Sequence, residues 1–233
     1  TLKDKIALCV GFNKKGDLIV GDRAHNDLRA SKARDENFEI ESSANYYSDF
    51  LRTIGTNKTY YSSNTNQEYS SEQLVGFVIK TLKLFVKDDD IIASVITVPN
   101  NFDLNQIEAI RRSGILGGIE QVEIVQESIA ASLTVSLDSV KYNNFSAIFS
   151  FQEKSFEVSL LKNGQIIEAE GNHFLSGENL DYTIVDNIIV PHIESNYEID
   201  KLLSNENERQ KLRHSLKFFA EETKIQLSFN QSH

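Results

Sequence analysis

Several residue types are scarce in this chain of 233 residues, and each scarcity excludes a structural feature or a class of protein. Cys9 is the only cysteine, so an internal disulfide bond is impossible, which suits a reducing compartment. Because Cys9 lies in the apolar run IALCVGF with no histidine near it in sequence, we predict a buried structural thiol rather than a nucleophile. With 40% hydrophobic and 25% charged residues and only 2 prolines, the composition predicts a folded protein rather than a disordered one.

Basic charge and long apolar runs are scarce as well. The formal net charge is -10, and nucleic-acid affinity depends on basic surface, so no nucleic-acid partner is expected. No apolar run approaches the roughly 18 to 20 residues that span a bilayer, so no membrane partner is expected. The start, TLKDK, has neither an initiator methionine nor the form of a signal peptide, and we expect a piece of a longer protein.

The spacing of apolar residues predicts an α/β organisation. A hairpin is predicted around the turn at residues 13–16, and a helix is predicted after the capping box at residues 70–73. The polar stretch 24–66 shows no sustained period and is predicted as loop and short helix. Strand and helix alternate from residue 91, which predicts a parallel unit, and three short strands from residue 145 predict an antiparallel meander.

Two helices are predicted near the end of the chain. One runs from about Gly177 to Val190, where Pro191 is expected to stop it, and a longer one runs from about Asn205 to Leu227. No metal site is predicted, since the histidines are too dispersed for zinc: His173, His192, His214 and His233.

Four segments, in order and at sensible separations, resemble the ATPase domain of DnaK-type (seventy-kilodalton) heat-shock chaperones. Residues 95–102 match the family pattern VITVPAYF in six places, and residues 126–131 resemble the NEP-T-AA helix. Residues 175–181 resemble LGGEDFD, and the adenosine-site pattern E-x-x-K-x-x-L-S is matched by Glu221, Lys224, Leu227 and Ser228. The resemblance implies the α/β, actin-like ATPase (ribonuclease H-like) fold in partial form.

On this resemblance the chain corresponds to the middle of the ATPase domain. Residues 1–137 match most of the first lobe, and residues 138–233 match the second hairpin and helical part of the second lobe. The family's first phosphate hairpin, D-x-G-T-T, is expected before Thr1, and its GG-S-R-x-P segment after His233. Because strand edges would then lack partners, this fragment alone is expected to aggregate or to depend on a partner.

The family's second phosphate hairpin reads DLGGGTFDVSIL, and it aligns with residues 150–161 of this chain. Only the hydroxyl of its threonine survives, as Ser155. Its three glycines, which let backbone N–H groups approach phosphate, are replaced by Gln152, Glu153 and Lys154. Glu153 would repel a polyanion, and we interpret Lys154 as a solvated hairpin lysine.

The resemblance also implies the loss of two catalytic groups. Ser150 replaces the carboxylate that helps to hold hydrated Mg²⁺, and Leu51 replaces the catalytic lysine of the K-R-x-I-G pattern. One preorganised group contributes roughly 10² to 10³ in rate. The combined losses predict no catalytic residues and no credible hydrolysis.

Nucleotide binding without hydrolysis is a separate question. The resemblance leaves five cofactor-binding candidates: Ser155, Gly177, Glu221, Lys224 and Ser228. The arginine that stacks on adenine is replaced by Ile225, so its cation–π contact is lost. Glu221 also fits ordinary helix pairs with Lys217 and Lys224. Two interpretations of these residues are therefore open: pairs that stabilise the helix surface, or a surviving nucleotide pocket. We expect no nucleotide, or only weakly bound ATP or ADP.

The family's allosteric relay joins a proline, an arginine and a glutamate. Pro99 and Glu127 remain, whereas the arginine position is Ile107, which is predicted to pack in the core beside Ile110. Pro99 also fits a strand terminator, and Glu127 also fits an acid favoured at a helix N-terminus, so both interpretations are open.

These losses favour a chaperone relative with a degraded ATP site that acts as a non-hydrolysing chaperone partner or scaffold. The resemblance implies an active chaperone or a J-domain protein as partner, in the cytoplasm or alternatively the lumen of the endoplasmic reticulum. Two alternatives are open: an ATP-binding chaperone or nucleotide-exchange-factor relative with slow or no turnover, and a structural or assembly protein on an actin-like scaffold.

Overall fold

The computed structural model describes residues 5–32, 45–86, 91–136, 145–153, 155–172, 174–198 and 204–229. It divides into two compact units, Thr1–Ala130 and Ala131–His233, which are described separately below. The division expected at residue 137 lies outside the described residues, and the assignment of the two parts to lobes stays a prediction.

The first unit alternates strands and helices. Its strands are β1 (Val10–Phe12), β2 (Leu18–Val20), β3 (Tyr46–Tyr47), β4 (Thr59–Ser62), β5 (Gln67–Ser70), β6 (Ala93–Val98) and β7 (Gln121–Gln126). Its helices are α1 (Asp22–Lys32), α2 (Ser71–Lys83), α3 (Leu104–Leu116) and the start of α4 (Glu127–Ser136), with a 3₁₀ turn at Phe50–Thr53. The pairs β1–β2, β1–β3 and β4–β5 are antiparallel, and β6–β7 is parallel, as the strand and helix alternation predicted.

The second unit holds a meander followed by helices. Strands β8 (Phe145–Phe151), β9 (Phe156–Lys162) and β10 (Gln165–Asn172) form an antiparallel sheet in the order β10-β9-β8, which confirms the predicted meander. The helices are α5 (Gly177–Ile184), α6 (Val190–Asn196) and α7 (Glu206–Phe229).

Both helices at the centre of the first unit begin with a capping box. The Ser70 hydroxyl accepts the N–H of Gln73 at the start of α2, and the Gln73 side chain accepts the N–H of Ser70 in return. Asp103 and Gln106 make the same reciprocal pair at the start of α3. Each box satisfies backbone donors that a helix start leaves without intrahelical partners, which is why the sequence signal located these helices accurately.

The core of the first unit lies around α2 and α3. Phe12 stacks on Tyr69 with ring centroids 4.6 Å apart, and Phe50, Leu74 and Ile110 are buried in the same cluster. This arrangement confirms the predicted core position of Ile110, and Ile107 packs against the cluster. Cys9 is fully buried in a smaller cluster beside it, which confirms the predicted structural thiol.

The polar stretch 24–66 contains more order than the sequence indicated. Most of α1 lies there, as the prediction of a short helix allowed, but β4 forms an antiparallel hairpin with β5 that the sequence analysis missed. The hairpin turns at Asn66, whose φ of 53° lies in the left-handed region that asparagine tolerates. The tyrosines of these strands, Tyr60 and Tyr69 among them, are a strand signal that the surrounding Ser and Asn residues obscured.

The predicted helix stop at Pro191 is wrong. Helical backbone continues from α5 through a π-helical segment, Val185–Ile189, and then through Pro191 to the end of α6. Pro191 stands in the first turn of α6, where its fixed φ suits a helix and its missing N–H costs little.

Strand β8 lies at the edge of its sheet as far as the described residues show, and it exposes Phe145, Phe149 and Phe151. An apolar strand edge of this kind favours association with another chain. The expected tendency of this fragment to aggregate therefore has a physical basis and stays a prediction.

The phenol of Tyr47 makes stability sensitive to alkaline pH. Its O–H donates to the backbone oxygen of Tyr61 at 2.5 Å, and burial at 1% exposure raises the pKa of Tyr47 to about 12. Because this folded-state pKa lies above the unfolded value of 10.0, the stabilisation is complete below pH 10 and is lost between pH 10 and about 12. At pH 11 we expect Tyr47 to contribute a loss of about 1 kcal/mol relative to pH 8, and this contribution should be absent in Tyr47→Phe.

Urea denaturation of the full-length protein at both pH values measures this difference. Tyr61→Phe, at an exposed tyrosine, is the matched control and should keep the loss. Retention of the full loss in Tyr47→Phe would contradict the role given to Tyr47.

Candidate functional site

The turn between β8 and β9 occupies the place of the predicted phosphate hairpin. The last strand pair is Phe151 with Phe156, and the N–H of Gln152 donates to the carbonyl oxygen of Ser155 at 2.8 Å. The hairpin therefore forms as the sequence predicted. Lys154 lies outside the described residues, so its predicted solvation stays a prediction.

This turn lies on the N-terminus of α5. The N–H of Gly177 donates to the carbonyl oxygen of Gln152 at 2.9 Å, and the N–H of Glu178 donates to that of Glu153 at 2.7 Å. A helix N-terminus normally attracts anions through exactly such unpaired N–H groups. Here two of them already bind the backbone of the turn.

The next two donors of α5 are occupied by Ser176. The N–H of Asn179 donates to the Ser176 hydroxyl oxygen at 3.3 Å, and the N–H of Leu180 donates to the Ser176 carbonyl oxygen at 3.0 Å. All four N–H groups of the first turn thus have protein acceptors.

Lys217 of α7 is a buried cation among carboxylates. Its side chain is 5% exposed, and its ammonium nitrogen lies 3.2 Å from Glu221 Oε2 and 4.0 Å from Glu153 Oε1. Burial alone would lower the pKa of Lys217, but Glu221, and then Glu153 and Glu178, more than offset burial and raise it. Lys217 is therefore positively charged at neutral pH, and its charge is balanced by the protein itself.

Lys224, about two turns further along α7, pairs with α5. Its ammonium nitrogen lies 2.6 Å from Asp181 Oδ1 and 3.5 Å from the carbonyl oxygen of Gly177. The carboxylate of Asp181 is buried, with the residue only 1% exposed. Of the two helix pairs expected on α7, Lys217 with Glu221 forms, whereas Lys224 binds a residue 43 positions away.

We call these six residues the α5–α7 charge cluster: Glu153, Glu178, Asp181, Lys217, Glu221 and Lys224. Two ammonium groups face four carboxylates, so the cluster carries a net charge of -2 when all are ionised. A cluster of this sign repels a polyanion at short range.

The other candidates from the sequence lie around this cluster. Ser228 donates its hydroxyl to the carbonyl oxygen of Ile225 at 2.6 Å within α7, and both residues are exposed. Ser150, which aligns with the carboxylate position of the family motif, accepts a hydrogen bond from the Gln152 side-chain amide at 3.2 Å. The cofactor-binding role of Ser155, Gly177, Glu221, Lys224 and Ser228 stays a prediction.

Three charged residues of this region were not recognised as important from the sequence. Asp181 and Lys217 acquire their roles only through contacts between segments that are distant in sequence, so no local pattern marks them. Glu157 is a third, a carboxylate 5% exposed on β9 directly opposite Ser150 of β8. A buried acid in a strand is a signal that sequence reading can flag, because acids are seldom buried.

The first unit places the two relay candidates side by side. Val98 and Gln126 are the last pair of the parallel strands β6 and β7, so Pro99 and Glu127 follow directly at neighbouring strand ends. Ile107 packs against the core, as predicted, and no charge stands at that position. The interpretations of Pro99 and Glu127 as relay residues stay predictions.

Asn100 connects these two strand ends. Its side-chain amide donates to the Ser128 hydroxyl at 2.7 Å, and its Oδ1 accepts the N–H of Ser128 at 3.3 Å. This contact caps the start of α4 from the other strand end, and no local sequence pattern marks it.

In the part of the chain that the structure describes, no three histidine, cysteine or acidic residues come together in a way that would hold a metal ion. His173 and His233 lie outside it. Within the same residues no helix has the length and apolar character needed to cross a membrane.

The parallel β6–β7 unit, the β8–β10 meander and the helices that follow define a partial actin-like ATPase fold of the α/β class. The chain belongs to the Hsp70 family, since the family model described as Hsp70 protein matches residues 8–233. The match confirms the resemblance inferred from the four sequence segments.

Curated relatives are chaperones named DnaK. The chain is 30% identical to the chaperone protein DnaK of Mycoplasmopsis agalactiae over 225 residues, which covers 94% of this chain and 34% of that protein. It is 29% identical to DnaK of Thermosipho melanesiensis, in a match that covers 94% of this chain and 35% of that relative. It is 28% identical to DnaK of Nitrosopumilus maritimus, in a match that covers 77% of this chain and 27% of that relative. The chain thus spans about a third of the length of the curated relatives it matches.

We predict that Asn100→Ala loosens the start of α4. Loss of a capping contact costs about 1 kcal/mol, so the backbone amides of the first turn should exchange with solvent about 5-fold faster. Hydrogen-exchange mass spectrometry of the full-length protein measures this rate. Asn101→Ala, at the exposed neighbouring asparagine, is the matched control, and equal exchange in the two variants would contradict the capping role.

Proposed function

We propose that the chain is part of the nucleotide-binding domain of an Hsp70-family pseudo-ATPase, a protein that acts as a non-hydrolysing chaperone partner or scaffold. One observation carries the proposal: the β8–β9 turn, where phosphate would bind, is bonded to α5 through Gln152 and Glu153. Nucleotide would have to displace these two backbone hydrogen bonds before its phosphates reached the α5 N–H groups.

Electrostatics supports the same conclusion. The net charge of -2 in the α5–α7 charge cluster opposes the approach of a nucleotide polyphosphate, and Glu153 lies in the turn itself. Lys217 and Lys224, the cations of the cluster, each lie within 4.0 Å of a protein carboxylate. Binding of ATP or ADP is therefore expected to be weak or absent.

The positions that would hydrolyse ATP lack suitable chemistry. Leu51, at the predicted place of the catalytic lysine, packs against the core of the first unit. Ser150 offers a neutral hydroxyl where the resemblance implies a carboxylate for hydrated Mg²⁺, and neutral oxygens bind this cation more weakly than carboxylates do. Removal of even one preorganised group costs roughly 10² to 10³ in rate, so we propose that hydrolysis has lapsed.

A second candidate is an ATP-binding relative, either a chaperone or a nucleotide-exchange factor, with slow or no turnover. Glu221 and Lys224 favour it, because the side chain of each is about one third exposed although both pair with protein groups. Glu157 adds a buried carboxylate close to the turn.

For either candidate we propose protein partners, with an active chaperone or a J-domain protein first among them. We propose the cytoplasm as the compartment, and the lumen of the endoplasmic reticulum as its alternative. Co-purification from each compartment with the full-length protein as bait would identify the partner.

Calorimetric titration of Mg-ATP and Mg-ADP into the full-length protein tests the proposal. We expect no detectable heat at high micromolar protein and no steady-state hydrolysis, whereas a DnaK relative measured alongside should show both. Tight binding without turnover would favour the second candidate. Turnover comparable to that of DnaK would overturn the proposal.

A further inference from the structure

We propose that the α5–α7 charge cluster is a built-in lock, which holds α5, α7 and the β8–β9 turn together without any nucleotide. This inference rests on the proposed function, because it assigns a new role to residues that the resemblance places in a nucleotide site. In this role the protein's own carboxylates, Asp181 and Glu153 above all, take the place of a bound ligand's negative charge.

The pair of Lys224 and Asp181 is the stronger half of the lock. A carboxylate as deeply buried as that of Asp181 is costly without a cation, and Lys224 supplies one at 2.6 Å. The same ammonium lies 3.5 Å from the carbonyl oxygen of Gly177, one turn earlier on α5. One lysine of α7 therefore contacts both the first turn and the middle of α5.

Lys217 is the other half, and it joins three elements. Its ammonium lies 3.2 Å from Glu221 on its own helix and 4.0 Å from Glu153 in the β8–β9 turn. Glu178, at the start of α5, adds a third negative charge that raises the pKa of Lys217. The side chain of Lys217 is buried, so water screens these attractions less than it would at the surface.

Backbone hydrogen bonds complete the arrangement. Glu153 reaches Lys217 through its side chain, while its carbonyl oxygen accepts the N–H of Glu178 at 2.7 Å. The turn is thus connected to α7 by charge and to α5 by the main chain. In a nucleotide-regulated site these elements would need freedom to respond to the ligand, whereas here protein groups bind the turn to both helices.

A further clamp lies one turn earlier on α7. Arg213 makes two hydrogen bonds of 2.8 Å to the carboxylate of Asp186, in the π-helical segment, and lies 4.1 Å from the centre of the Tyr182 ring. Arg213, Lys217 and Lys224 therefore meet the preceding elements at three points along α7. The position of α7 against α5 is fixed over about three turns of helix.

The lock predicts that α5 is protected without ligand and loses protection when Lys224 is removed. Hydrogen-exchange mass spectrometry of the full-length protein should show about 10-fold or faster exchange of α5 in Lys224→Met, because the buried Asp181 loses its cation. Lys224→Arg should recover most of the protection. Lys211→Met is the matched control on the same helix, where Lys211 pairs with Glu208 at i,i+3, and it should leave α5 unchanged.

Glu153→Gln tests the lock at a residue whose side chain is 61% exposed, where the substitution will not prevent folding. We expect about 2-fold to 5-fold faster exchange at the first turn of α5. Exchange of α5 that is the same in Lys224→Met, Glu153→Gln and Lys211→Met would overturn the lock.

The same measurement with millimolar Mg-ATP or Mg-ADP separates the lock from the proposed function. Exchange of wild-type α5 that is unchanged by nucleotide supports the lock. Protection that rises with nucleotide in the wild type would overturn the proposed loss of binding, and the lock would then be judged by the lysine variants without nucleotide.

Discussion

The buried carboxylate of Asp181 is the constraint on which the arrangement of the second unit depends. An ion removed from water needs a partner of opposite charge, and among the described residues Lys224 supplies it from a helix more than forty residues further along the chain. Bringing Lys224 to Asp181 lays α7 along α5. On the same helix Lys217 lies 4.0 Å from Glu153 in the turn between β8 and β9, so one charged network connects the hairpin, α5 and α7.

This arrangement bears on the roles that the family resemblance implies for individual residues. The scaffold is that of the Hsp70 nucleotide-binding domain, and several residues of the adenosine-site pattern are present. In three dimensions, however, the ammonium of Lys224 and the carboxylate of Glu221 bind other protein groups. Identity at a motif position therefore does not establish the role of that position, because the partners of a charged side chain decide what it does.

Local signals predicted much of the fold, and long-range contacts explain what they missed. The capping box at Ser70 and the alternation of strand and helix located many elements, since both depend on neighbouring residues. The helix stop predicted at Pro191 was wrong because the effect of a proline depends on its position in the helix. The β4–β5 hairpin was missed because the segment is rich in polar residues. Gln152 and Glu153 were visible in the sequence at positions where the family pattern has glycines. Their contacts with α5 were not, because no pattern shows which donors a turn will meet.

The central claim is that the protein's own groups occupy the nucleotide site. A structure from crystals of the full-length protein grown with saturating Mg-ADP tests this claim most directly. The account predicts the carbonyl oxygens of Gln152 and Glu153 still bonded to the N–H groups of Gly177 and Glu178, Lys224 still paired with Asp181, and no nucleotide beside α5. A nucleotide whose phosphates have displaced the turn from α5, with Lys217 or Lys224 turned toward it, would contradict the account.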